Sequence, residues 1–136
     1  MPSVDISIWA VVVAAVINMV VGAIWYMPSV FGKEWSKLVG RKLADMRKNA
    51  GPGYAITTLG ALVQAWILAH FVFYASARTA LDGAVVGFWL WVAFVAITQG
   101  VNTVFAGSRK KLWAINTGYF LVVLVINGAL LAAWHP

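Results

Sequence analysis

Four apolar runs dominate the chain and leave little else for it to fold into. A helix that crosses a bilayer needs about 20 mostly apolar residues at 1.5 Å rise each. The segments at about 6–27, 54–74, 83–105 and 112–134 all meet that length. Pro28 stops the first by disfavouring helix at the residue before it, and Gly51-Pro52-Gly53 precedes the second. Composition forces the same conclusion. Hydrophobic residues make up 62% and charged residues 10% of 136, against roughly 45–50% and 25% in soluble domains. A chain this short cannot hide so much apolar surface from water, so the excess faces lipid. The expected fold is all-α, a polytopic membrane protein with four transmembrane helices in one bundle and a single domain over 1–136.

The charges orient it. The linker at 28–53 holds Lys33, Lys37, Arg41, Lys42, Arg47 and Lys48, and the turn before the last run holds Arg109, Lys110 and Lys111. These are nine of the ten basic residues, all on one side of a four-span topology. Lys and Arg favour cytoplasmic loops, which places both termini outside the cytoplasm of a bacterial inner membrane. Topology thus accounts for the basic pI without nucleic acid as a partner. The amino-terminal stretch has no basic region and carries Asp5, so the first run reads as a retained span rather than a cleaved signal. Trp9, Tyr74 and Trp134 fall near one interface, and Trp25, Tyr26, Tyr54 and Trp113 near the other, as amphipathic rings do.

Within the linker, Phe31, Trp35, Leu38, Val39, Leu43 and Met46 recur at helical spacing, with Lys33, Lys37, Arg41 and Lys48 facing away. That pattern predicts one or two short amphipathic helices on the membrane surface, divided at Gly40, with their bases toward anionic headgroups. A docking site for a cytosolic partner is the alternative.

Polar groups in hydrocarbon are costly unless paired, so each is informative. Ala14, Ala15, Asn18 and Gly22 form a small-residue seam in the first span, and Gly83 and Gly87 form another in the third. Such seams let backbones approach while amides bond across. Thr57 and Gln64 share a face of the second span, and Asn116 and Asn127 nearly share one in the fourth. Asn18, Gln99, Asn102, Asn116, Tyr119 and Asn127 therefore either tie helices together or line a polar pocket in the cytoplasmic half. His70 is a packing residue able to titrate. It and His135 lack the acids or cysteines that a metal site needs, and no cofactor is expected.

Three stretches carry a resemblance. Gly22-Ala-Ile-Trp-Tyr-Met-Pro-Ser-Val-Phe-Gly-Lys-Glu-Trp35, Gly100-Val-Asn-Thr-Val-Phe-Ala-Gly107 and Lys111-Leu-Trp-Ala-Ile-Asn-Thr-Gly-Tyr119 stand in order along the chain. Together they resemble an uncharacterised bacterial family of small four-span membrane proteins, known as a domain of unknown function. The resemblance implies a four-helix inner-membrane protein and no particular activity. Within its first motif, Trp25, Tyr26, Pro28, Phe31, Gly32 and Trp35 mark where the first helix leaves the membrane and a surface element folds back. Beyond that exit role, they would lid an inner pocket.

Function divides three ways. No Asp or Glu lies inside a span, so proton coupling through a membrane carboxylate is unsupported. Catalysis lacks a nucleophile, base and orienting group in reach of one another, and no enzyme is expected. A structural or accessory membrane protein, packing with itself or a larger membrane partner, needs no chemistry and is the leading reading. Transport or binding of a neutral or amphipathic small molecule is the alternative.

Overall fold

The structure, a computed structural model, describes residues 4–42, 45 and 50–134. Among them there is helix and no strand, in the order α1 (Ile8–Trp25), α2 (Lys33–Val39), α3 (Gly51–Tyr74), α4 (Ala80–Trp91), α5 (Ile97–Ala106) and α6 (Lys110–Ala133). Four spans are long and apolar enough to cross a membrane: α1, α3, the continuous Ala80–Ala106 formed by α4 and α5, and α6. The chain is a multi-pass membrane protein.

Local chemistry sets the ends. Ser7 caps α1 by accepting from the Ala10 N–H at 3.3 Å, satisfying a donor the helix cannot. Thr79 caps α4 by accepting from the Asp82 N–H, and Asp82 places its charge in the first turn, where the helix dipole favours it. Gly40 and Gly107 close α2 and α5 with φ of 72° and 69°, a conformation only glycine adopts cheaply. Gly51-Pro52-Gly53 opens α3 instead of preceding it, because proline in the first helical turn lacks only an N–H that would be unpaired anyway. Of the one or two surface helices expected in the linker, α2 forms and Gly40 ends it. The second would involve Leu43, Met46, Arg47 and Lys48, which lie outside the described residues.

The spans run up and down, so α1 ends, α3 starts, α5 ends and α6 starts at one end, called here the basic end. Residues 4–7, 75–79 and 134 mark the terminal end. The axis of the bundle is α6: α1 and α3 pack on it and on each other, whereas α4 packs almost wholly on α6. Backbone meets backbone where α4 crosses α6. A β-carbon on Gly83 would fall on the Gly128 carbonyl, and one on Gly87 on the Leu124 carbonyl. Without a hydrophobic drive between helices in lipid, such backbone proximity is what holds them. Apolar cores fill either side, with Val11, Ala14 and Ala65 between α1 and α3, and Leu68, Val72, Leu124 and Ala132 around α6.

Between α4 and α5 the helix widens into a π turn at Val92–Ala96. A π turn holds one residue more than an α turn, and one residue turns a helix by about 100°. Without it the α6-facing row Gly83, Gly87, Trp91 and Val95 would continue through 98–99 and 102. With it, the less exposed positions are Ala96, Gly100 and Thr103, and Gln99 and Asn102 are exposed.

Candidate functional site

The intramembrane polar groups separate into two sets. The first is a hydrogen-bonded spine through α1, α3 and α6. At the basic end the Tyr26 hydroxyl donates to Asn116 Oδ1 at 2.8 Å, and the Trp25 indole N–H donates to the Ile115 carbonyl at 2.8 Å. One turn deeper, Tyr119 donates its hydroxyl proton to Asn18 Oδ1. Asn18 Nδ2 in turn donates to Gln64 Oε1 at 3.1 Å, so one buried amide joins three helices. Toward the terminal end, Asn127 Nδ2 donates to the Ala14 carbonyl at 3.0 Å, and its Oδ1 has no donor among the described residues. His70 stays within its own helix, 2.8 Å from the Trp66 carbonyl through Nδ1. A carbonyl only accepts, so Nδ1 carries the proton there.

Asn18, Asn116, Tyr119 and Asn127 thus bond across helices. Gln99 and Asn102 do not join them, because the π turn rotates them away. They instead line a shallow groove of about 150 Å³ between α5 and the start of α6, together with Thr103, Ser108, Trp113 and Asn116. Asn116 is the link between the two sets. Tyr119 belongs to the spine alone.

The first motif builds the basic-end wall of this region. Met27 is extended, with ψ 144°, and Pro28–Gly32 forms a second π turn closed by Gly32 N–H donating to the Met27 carbonyl at 2.8 Å. A β-carbon on Gly32 would strike the Tyr26 carbonyl, which explains the glycine of the Phe-Gly pair. Trp25 and Tyr26 do more than anchor an interface. Trp25 meets Phe31 with centroids 4.7 Å apart, and Tyr26 lies edge-on to Trp35 and Tyr119 at 5.5 and 5.7 Å. The motif is an aromatic knot that fixes α2 against the beginning of α6.

An ion pair completes the knot. Lys111 Nζ lies 2.9 Å from Glu34 Oε1, on exposed side chains. The hydrogen bond from Lys111, its charge, and the nearby Lys37 and Arg109 hold the Glu34 carboxyl below the usual carboxylate range.

A family profile described as a protein of unknown function, DUF1761, matches residues 9–132. The chain belongs to the DUF1761 family. No curated protein and no solved structure matches it. The DUF1761 match runs from the second residue of α1 to the last turn of α6, so it takes in the spine, the groove and the aromatic knot.

Three indoles in this DUF1761 chain do more than the interfacial anchoring expected of Trp25 and Trp113. Trp25, Trp91 and Trp113 each donate to a carbonyl of another helix, at Ile115, Thr117 and Ala96, over 2.7–3.0 Å. The sequence did hold a hint. Gly100 and Gly118 are the small residues over which Trp113 and Trp25 lie, and glycine beside a bulky ring is a packing signal in membranes.

Proposed function

We propose that the chain is a non-catalytic packing protein of a bacterial inner membrane, with its basic loops in the cytoplasm and both termini outside. Its action is to hold a protein partner against the Ala80–Ala106 span. One observation carries this reading. That span has 11% of its apolar window buried, against 44% for α6, and it exposes Thr98, Gln99 and Asn102 along α5. An amide facing lipid is unfavourable, and a neighbouring helix offering donors and acceptors relieves it. The spine supports the non-catalytic part, since its hydroxyls bond to amides and its amides bond across helices, Asn127 Oδ1 apart. Lys33, Lys37, Lys110 and Lys111 at the basic end suit anionic headgroups. A photocrosslinker at Val101, beside the amides, tests the reading in native membranes. A discrete protein adduct is expected there and not from Val16 on α1. Lipid adducts alone at Val101 would sink it.

A second reading rests on the groove lined by Gln99, Asn102 and Asn116, which would take a neutral or amphipathic small molecule at the basic end. A compound of that class should raise the thermal stability of the purified protein. Asn102→Leu with Asn116→Leu should abolish the shift, and Tyr26→Phe, which removes only the hydroxyl bonded to Asn116, should retain it. Equal shifts in all three proteins would remove the groove as a site.

A further inference from the structure

Six amides lie within the four spans, and they do not share one fate. Asn18, Gln64, Asn116 and Asn127 bond across helices. Gln99 and Asn102 are exposed, and neither side chain makes a hydrogen bond among the described residues. The π turn at Val92–Ala96 is what turns them outward, and π turns inside helices are frequent at functional sites. At about 100° per residue, Gln99, Asn102 and Ala106 share one arc of α5, with Thr98 at its edge and Val104 on the opposite side. The other lipid-facing surfaces differ. On α1 the exposed row is apolar, through Val12, Val16, Val20 and Ile24. On α3 the exposed Thr57 and Thr58 return their hydroxyls to the Gly53 and Tyr54 carbonyls.

The chemistry of the arc selects its partner. An amide carries both donor and acceptor, so it pairs with an identical residue, as single asparagines do when they set the oligomer state of coiled coils. A face of donors alone would need a different protein opposite it. No charged residue stands on α5, and so no like charge opposes a second copy there. Arg109 and Lys110 follow beyond Gly107, at headgroup level, where salt and anionic lipid screen them. Depth agrees. Two copies inserted by the same charge bias hold Gln99 and Asn102 at one depth, and a dyad along the membrane normal brings each amide to its own counterpart. We propose that the partner of α5 is a second copy of this chain, in a twofold dimer joined through Gln99 and Asn102. That dimer gives the partner-holding reading of the span its occupant, and it rests on that reading.

Disulfide trapping in native membranes and dilution in lipid test the dimer on the full-length chain. Because the chain has no cysteine, Ala106→Cys, one turn from Asn102 on the same arc, should trap a dimer on mild oxidation. Val104→Cys, on the far side, should not. Two differently tagged copies should appear together in the trapped product. In liposomes of rising lipid-to-protein ratio, energy transfer between fluorescently tagged copies should report the dimer. Gln99→Leu with Asn102→Leu should weaken it about tenfold, and Asn102→Gln, which keeps the amide, should preserve it. Both side chains are exposed, so the thermal midpoint should hold in each variant. Trapping through Val104→Cys instead of Ala106→Cys, or energy transfer indifferent to the double leucine variant, would overturn the dimer. A photocrosslinker at Ala106 separates it from the wider reading. Adducts to a different protein without a self-adduct overturn the second copy and keep the partner, whereas lipid adducts alone overturn both.

Discussion

At the scale of single residues, two buried polar groups should respond to substitution with opposite sign. Tyr119 is 8% exposed and gives its hydroxyl proton to Asn18. Tyr119→Phe removes that donor and leaves the Asn18 oxygen unpaired, which should lower unfolding stability by about 1 kcal/mol. Asn127 is the counter-case. Its Oδ1 already lacks a donor, and the Ala14 carbonyl it touches lies inside α1, where the helix supplies its own bond. Asn127→Leu should therefore be neutral or stabilising by up to about 1 kcal/mol. Reversible unfolding in mixed micelles would separate the two, and a large loss at Asn127 would mean its amide has a partner of its own. Part of this was legible in the chain. Asn18 and Asn127 declared themselves as amides in hydrocarbon, but nothing in the order of residues said which would be satisfied. That depends on how two helices rotate against each other, and Asn127 and Ala14 are 113 residues apart.

At the scale of elements, the α4–α6 seam was readable and the π turn was not. Gly83 and Gly87 stand out because glycine weakens a helix unless a backbone needs the space. Gly87→Ala would place a methyl on the Leu124 carbonyl and should cost about 2–3 kcal/mol, whereas Gly60→Ala, with nothing near it, should stabilise α3 slightly. The run Val92-Ala-Phe-Val-Ala96 has no such mark, since a π turn is a packing outcome and not a propensity. Its effect is still testable. Deleting Ala93 removes the extra residue, so an α turn should replace the π turn and α5 should keep the face it shows to α6. Cysteines placed at Gln99 and Thr103 should then keep their accessibility to a lipid-soluble thiol reagent; exchanged accessibility would show that the turn does not set the register. The docking of α2 is an electrostatic matter as well as an aromatic one. The Glu34 carboxyl titrates below its free value of 4.5 because Lys111 bonds it. A depressed carboxylate contributes above its unfolded pKa and loses that contribution as pH falls through the folded one. A spin label at Lys37→Cys should therefore keep constant mobility from pH 7 to 5 and gain mobility below about 4.5. In Glu34→Gln the mobility should be high and flat with pH.

At the scale of the whole molecule, the four spans followed from hydropathy because lipid admits no other backbone solution for runs of this length. The basic end followed from where nine of ten cations fall. The site did not follow, because proximity in depth is not proximity in space. Gln99 and Tyr119 sit near the same end of the bundle yet belong to different surfaces. Orientation is a property of the whole chain, and the absence of cysteine makes single introduced cysteines clean reporters of it. In intact bacterial cells a membrane-impermeant maleimide should label Asp5→Cys directly and Ser108→Cys only after permeabilisation. The reverse pattern would overturn the proposed orientation. The Lys111 contribution can be separated from it. Replacing Arg109, Lys110 and Lys111 by Gln leaves six basic residues in the linker against Arg78 opposite, so the bias still favours the same side. The triple variant should thus keep its labelling pattern while losing the Glu34–Lys111 pair. The proposed orientation rests on the sum of charges in the loops, whereas the Glu34–Lys111 pair adds a single charge contact to the aromatic docking of α2.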